Sequence, residues 1–142
     1  MSETKRIFKV FLCYAHSDKE SVHNLYTRIM ETGIHVWLDS KDLQPGQNWE
    51  HEIRKAILKS DVAIVCLSRE FNKQKGYRHE ELKLALEKTE LLDEDKVFII
   101  PVRLEKCEMP VSLRRLHRVD LFEAGGYKRL LRALRRLKNS NT

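Results

Sequence analysis

Val62-Ala63-Ile64-Val65-Cys66-Leu67 is an unbroken apolar run followed by the polar Ser68-Arg69-Glu70. A strand with one wet face alternates apolar and polar residues. A continuous run instead suits a strand covered on both faces, the situation inside a parallel sheet flanked by helices. Four further β-like runs lie around it: Phe8 to Tyr14, Ile34 to Leu38, Val97 to Val102 and Arg118 to Leu121.

Between these runs the apolar residues change to helical spacing. Val22, Leu25, Tyr26, Ile29 and Met30 follow a Ser17-x-x-Glu20 capping box and stop at Gly33. Trp49, Ile53, Ala56 and Ile57 form a second stripe after a polar loop containing Pro45-Gly46. Leu82, Ala85 and Leu86 form a third. Gly125-Gly126 opens a last helix with Tyr127, Leu130, Leu131, Leu134 and Leu137 on one side. Residues 104–117, with Pro110, read as irregular. Strands alternating with helices predict an α/β fold, a parallel sheet with helices on both faces. With five strands, the leading arrangement is flavodoxin-like, order 2-1-3-4-5. Ligands of such sheets bind beyond the carboxyl ends of the strands. Function is therefore expected in the loops after Tyr14, Leu38, Leu67 and Arg103.

The chain has 142 residues, 42% hydrophobic and 34% charged, with five Gly and three Pro. That composition fits one ordinary core and excludes collagen-like and largely disordered chains. The net charge of +6 is uneven, since residues 114–142 hold nine basic and two acidic side chains. Charge confined to one terminal stretch reads as the solvated face of a helix more readily than as a nucleic-acid groove, which draws on several elements. Apolar runs such as Val97 to Val102 reach only six residues, far below the roughly 20 of a membrane span. The start, Met1-Ser2-Glu3-Thr4-Lys5-Arg6, lacks the apolar core of a signal peptide. Three cysteines are an odd number, and Cys13 and Cys66 sit inside apolar runs. A cytoplasmic protein without a membrane partner is expected.

Several chemistries are excluded by missing patterns. The loop after the first strand has no glycine, and no Walker A or Gly-x-Gly-x-x-Gly pattern occurs. A receiver domain needs a phosphoacceptor Asp after the third strand, where this chain has Ser68-Arg69-Glu70. His51-Glu52-Ile53-Arg54-Lys55 and His79-Glu80-Glu81-Leu82-Lys83 begin like zinc motifs but end on Lys instead of the second His. No Gly-x-Ser-x-Gly elbow is present. Neither a metal nor a resident cofactor is expected.

Four local patterns remain, in order along the chain: Phe11-Leu12-Cys13-Tyr14-Ala15-His16-Ser17-Asp18, Trp37-Leu38-Asp39-Ser40-Lys41-Asp42-Leu43-Gln44-Pro45-Gly46, Gly76-Tyr77-Arg78-His79-Glu80-Glu81-Leu82 and Leu121-Phe122-Glu123. Each is weak alone, but in register on the right elements they resemble the TIR (Toll/interleukin-1 receptor) domain family, closest to its bacterial branch. The resemblance implies a single TIR domain over 1–142, with its core at about 8–137. Some TIR domains are scaffolds acting through TIR–TIR contacts, while others cleave the nicotinamide–ribose bond of NAD+. Catalytic members carry a Glu near the start of the third helix, commonly four residues after an aromatic. Tyr77 and Glu81 have that spacing, which implies that Glu81 is the catalytic residue and NAD+ the substrate. Where many catalytic members have Arg after the first aromatic, this chain has Ala15-His16.

One carboxylate suffices for that reaction. Nicotinamide departs neutral, so its leaving needs no general acid, whereas a glycosidase must protonate a leaving oxygen. A carboxylate beside the ribose stabilises the oxocarbenium-like charge that develops. At about 100° per residue, the stripe of Leu82, Ala85 and Leu86 leaves Glu80 facing solvent and puts Glu81 on the flank. The competing reading of Glu81 is an acidic residue complementing the helix dipole. Tyr14, His16, Ser17, Trp37, Asp39 and Tyr77 are the expected substrate-binding residues, although Trp37 also suits core packing. The resemblance further implies activation by self-association, with Asp42, Leu43, Pro45 and Gly46 as the assembly loop. Leu84, Leu91 and Leu92, off the core stripe, are candidates for a contact surface. The alternative function is a non-catalytic TIR–TIR scaffold. A third reading, nucleic-acid binding, would appear as salt-sensitive retention on heparin or DNA.

Overall fold

A computed structural model describes residues 7–73 and 77–140; the side chains of Ser40, Tyr77, Arg78 and His79 lie outside the described residues. Five strands form one parallel sheet: β1 (Lys9–Cys13), β2 (His35–Trp37), β3 (Val62–Leu67), β4 (Ile99–Arg103) and β5 (Val119–Asp120). Their order is β2-β1-β3-β4-β5. The helices are α1 (Lys19–Met30), α2 (Asp39–Asp42), α3 (Trp49–Lys59), α4 (Arg69–Lys73), α5 (Tyr77–Glu90) and α6 (Gly126–Ser140). This is the α/β arrangement and strand order that the hydrophobic pattern predicts.

The apolar run of β3 explains the layering. Val62, Ile64 and Cys66 face the core shared with α1 and α6, where Val22, Leu25, Ile29, Leu130 and Leu134 pack. Ala63, Val65 and Leu67 face the opposite core, filled by Ile53 and Ile57 of α3 and Leu82 and Ala85 of α5. Each large aliphatic side chain buried this way contributes about 1.5–3 kcal/mol, so a strand without a polar side is the stable choice at the sheet centre. The basic residues of α6 follow the expected amphipathic split: Lys128, Arg129, Arg132, Arg135 and Arg136 are exposed, while Leu130 and Leu134 are buried.

Local chemistry departs from the sequence reading in four places. A 3₁₀ turn at His16–Asp18 precedes α1, and Asp18, not Ser17, is the N-cap residue, without a side-chain capping bond. Its carboxylate is taken instead by the Ser68 hydroxyl. Two short helices, α2 and α4, stand where loops were expected, each too short to display a period. Trp49 is 46% exposed, so Ile53 and Ile57, with Ala56 partly buried beside them, carry the buried face of α3. The last strand shrinks to Val119–Asp120, because only these two residues find register partners, Val102 and Arg103.

Two helices are fixed to one another in a way that matters for the site. Lys88 Nζ donates to the carbonyls of Ile57, Leu58 and Ser60 at 3.1, 2.8 and 2.6 Å. It satisfies the free carbonyls at the end of α3 from the last turns of α5. The last turn of α5 is thereby tied to the end of α3.

Candidate active site

In a parallel sheet the connecting helices run back against the strands. The loops after β1, β2 and β3 and the first turn of α5 therefore meet at the carboxyl edge of the sheet. Tyr14, immediately after β1, is 1% exposed, and its hydroxyl donates to Asp39 Oδ1 at 2.7 Å. Asp39 is the first residue of α2. The last residue of that helix, Asp42, accepts the Leu38 backbone N–H at 2.8 Å. One turn of helix is thus tied at its start to β1 and at its end to the exit of β2.

The next residues project outward. Gln47 N–H donates to the Gln44 carbonyl at 3.1 Å, with Pro45 and Gly46 at the two central positions. Gly46 has φ +87°, the left-handed value that the third residue of a type II turn requires. The Gln44 N–H donates to Gln47 Oε1 at 2.8 Å, closing the turn from the other side. Asn48 then caps α3 by accepting the His51 N–H at 3.1 Å. Asp42 and Leu43 are half-buried, while Gln44, Pro45 and Gly46 are exposed. The expected assembly loop is a braced, outward-facing turn beside edge strand β2.

His16 and Ser17 are exposed in the 3₁₀ turn on the same rim. Next to them, Ser68 Oγ donates to Asp18 Oδ2 and accepts the Phe71 N–H at 2.9 Å. This joins the loop after β1 to the loop after β3. Burial pushes the Asp18 carboxyl above its ordinary range against the Ser68 hydrogen bond, and Glu105 and Glu70 raise it further. Sequence reasoning missed this bridge, because nothing local links residues 50 positions apart.

Glu81 and Glu80 separate as helical phase predicts. Glu80 is exposed, whereas Glu81 is 2% exposed in the first turns of α5, beside the buried Leu82. Glu81 goes further inward than the flank position expected for it. Trp37, the last residue of β2, stacks its ring on Phe11 at 5.2 Å between centroids, with 10° between planes, and packs on the α3–α5 side of the sheet. The Tyr77 side chain lies outside the described residues. The turns after β1 and β2 place Tyr14, His16, Ser17 and Asp39 at the carboxyl edge; Tyr14 packs on the α1–α6 side of the sheet, whereas Leu82, next to Glu81, packs on the α3–α5 side. Trp37 is placed in the sheet–helix packing. Among the described residues, no group of three or more His, Cys, Asp or Glu is placed to hold a metal ion.

A further charged cluster closes the other half of this edge. Arg103 at the end of β4 grips Asp120 of β5 through two bonds of 2.7 and 2.8 Å and donates to the Cys107 carbonyl at 2.7 Å. Arg118 adds a bond of 3.1 Å to the same carboxylate. The Asp120 carboxyl is held well below the usual range, chiefly by the Arg103 hydrogen bonds. Its acceptors serve these partners, so the cluster reads as the clasp of β4 and β5.

Comparison with known proteins gives a consistent picture. A family model described as "TIR domain" matches residues 10–136. The chain is 38% identical over 65 residues to "NAD(+) hydrolase TcpA" of Theionarchaea archaeon (strain DG-70-1), covering 45% of this chain and 20% of that protein. It is 30% identical over 100 residues to "Probable 2' cyclic ADP-D-ribose synthase TcpO" of Methanobrevibacter olleyae, covering 70% of this chain and 28% of that one. The matched segments thus span about a fifth to just over a quarter of these relatives. Among solved structures, the TIR domain of the Toll-related receptor TRR-2 from Hydra magnipapillata is similar, with TM-score 0.75 and 27% identity over 89% of this chain and 97% of that one. Among the described residues, no helix is long and apolar enough to cross a membrane.

Proposed function

The chain belongs to the TIR domain family, and from that premise we propose that it cleaves the nicotinamide–ribose bond of NAD+ with Glu81 as the catalytic carboxylate. The observation that carries this reading is the position of Glu81: 2% exposed, at the start of α5, on the carboxyl edge of the sheet. A carboxylate serving only the helix dipole does so from the surface, as Glu80 can. Burying one costs several kcal/mol of lost hydration, a cost that a functional site commonly bears. Similarity to an NAD+ hydrolase and to a probable 2' cyclic ADP-D-ribose synthase supports the substrate.

In the proposed reaction the bond between ribose C1′ and the pyridinium nitrogen breaks, and its electron pair neutralises the departing nicotinamide. The ribose is left with oxocarbenium charge, which the Glu81 carboxylate stabilises. Water then adds to C1′ and releases a proton, giving ADP-ribose. If a nucleophilic atom of the ADP-ribose moiety takes the place of water, a cyclic isomer forms. The steps before nucleophilic attack are common to both products. Tyr14 and Asp39, hydrogen-bonded to each other, with His16, Ser17 and Tyr77, form the proposed substrate wall. Trp37 serves packing in this scheme.

Deep burial of Glu81 means that the site must open, and self-association through the Asp42–Gly46 loop is the proposed means. Nicotinamide release is therefore expected to rise faster than linearly with protein concentration, and Glu81→Gln to lower it about a hundredfold or more while leaving the fold intact. A scaffold acting only through TIR–TIR contacts is the second reading. It is favoured by Ala15-His16 at the position where catalytic members commonly carry Arg. Association of the wild-type chain without nicotinamide release at any concentration would establish it.

A further inference from the structure

The free edge of the sheet carries a separate arrangement. β5 pairs with β4 only at Val102 and Arg103, so the earlier residues of β4 have no strand on that side. A cleft of about 590 Å³ lies there, against α6. Ile99, Leu116, Val119 and Leu137 give it an apolar floor, and Arg129, Arg132 and Arg136 line its rim. The three arginines recur on one side of α6 over about 10 Å of helix. All are exposed, and among the described residues none is in an ion pair.

Directly beside it lies a surface of mixed charge, with Lys88 and Lys96 among its lining and an acidic loop at its border. A second cavity, of about 420 Å³, shares Val97, Leu137 and Ser140 with the first and is lined by Leu92 and Asp95. These two belong to the loop after α5, Leu91-Leu92-Asp93-Glu94-Asp95. Leu91 is 83% exposed and Leu92 37%, and the three carboxylates that follow are exposed as well. Two apolar side chains followed by three acids complement an apolar floor rimmed by three arginines.

We propose that two copies of the chain meet on this face, the Leu91–Asp95 loop of each seated in the α6 cleft of the other. A two-fold pair requires complementary patches side by side on one surface, because every contact then occurs twice. The leucines cover the apolar floor, and Asp93, Glu94 and Asp95 face Arg129, Arg132 and Arg136. Burial of the leucines supplies affinity, while the charges select partner and register. A polyanion such as nucleic acid would use the arginines but leave both the floor and the leucines uncovered. The surface lies at the β5 edge, away from the Asp42–Gly46 loop at the β2 edge. The inference extends the self-association part of the proposed function, but it is read from mass and not from turnover, so either can fail alone.

The test is sedimentation equilibrium of the full chain over a wide concentration range. Wild type is expected to dimerise. Arg132→Glu with Arg136→Glu, and separately Asp93→Lys with Asp95→Lys, each weaken the dimer by about tenfold or more, since like charges then oppose across the interface. All four side chains are exposed, and circular dichroism checks that the variants stay folded. Mixing the two double variants restores association, because each cleft then meets a loop of opposite sign; placing all four substitutions in one chain restores it as well. The proposal is overturned if wild type stays monomeric, if either double variant associates like wild type, or if the mixture does not recover. Heparin retention by a monomeric wild type, lost in the arginine variant, would reassign the cleft to polyanions.

Discussion

Arg103 and Asp120 meet with side chains only 11% and 9% exposed, so neither charge has water to fall back on. Removing one partner from such a pair leaves the other buried and uncompensated, a loss of about 3 kcal/mol in comparable cases. Asp120→Asn is accordingly expected to lower the free energy of unfolding by about that amount in a urea titration. The pH dependence follows from the direction of the shift. Because the folded-state value is depressed, the contribution is complete above the ordinary carboxylate range and fades as pH falls through the folded value. Wild-type stability therefore declines below about pH 5 more steeply than that of Asp120→Asn. At the same scale, the sequence distinguishes Glu81 from Glu80 because helical phase is a local property. The Asp18–Ser68 bridge was not legible: it depends on two strand ends being neighbours in the sheet.

Short elements divide in the same way. β3 was legible to the residue, since both its faces are covered and nothing blurs its ends. α2 was not, because a single turn held by Tyr14–Asp39 and by Asp42 on the Leu38 N–H has no period to display. The Gly125-Gly126 pair was read correctly as a helix start, and packing explains the second glycine. A Cβ on Gly126 would run into the Asp120 carbonyl oxygen, so α6 can approach β5 only without a side chain there. Gly126→Ala is expected to cost about 1–3 kcal/mol as overpacking, measured by thermal unfolding. The Pro45-Gly46 turn allows a cleaner separation of function from stability. Its tip is exposed, and proline cannot adopt the positive φ found at Gly46. Gly46→Pro should therefore reduce concentration-dependent activity while shifting the melting temperature by only a few degrees; unchanged activity would remove this loop from the assembly.

For the whole molecule, the parallel topology sorts chemistry by end and by edge. The turns after β1 and β2 carry Tyr14, His16, Ser17 and Asp39 at the carboxyl end of the sheet, and α5 carries Glu81 on the α3–α5 side. The β2 side carries the braced loop, and the β5 side carries the arginine cleft with its acidic neighbour. Charge placement on that last face was only partly legible. The excess of basic residues in 114–142 was plain in the sequence and was read as a solvated helix face. The helix does expose them, yet three of them also border a concave apolar surface formed by β4, β5 and residue 116. That concavity arises because β5 is two residues long, a pairing detail that hydrophobic pattern does not encode.

NAD+ cleavage by Glu81 is read out by nicotinamide release. Wild type and Glu81→Gln, both verified as folded, are incubated with NAD+ across a range of protein concentrations, and nicotinamide is quantified by chromatography. Release by wild type is expected to steepen with concentration, and the variant to lose about a hundredfold or more, the scale seen when a charge-stabilising group is removed from the transition state. Equal release by the two proteins would contradict it.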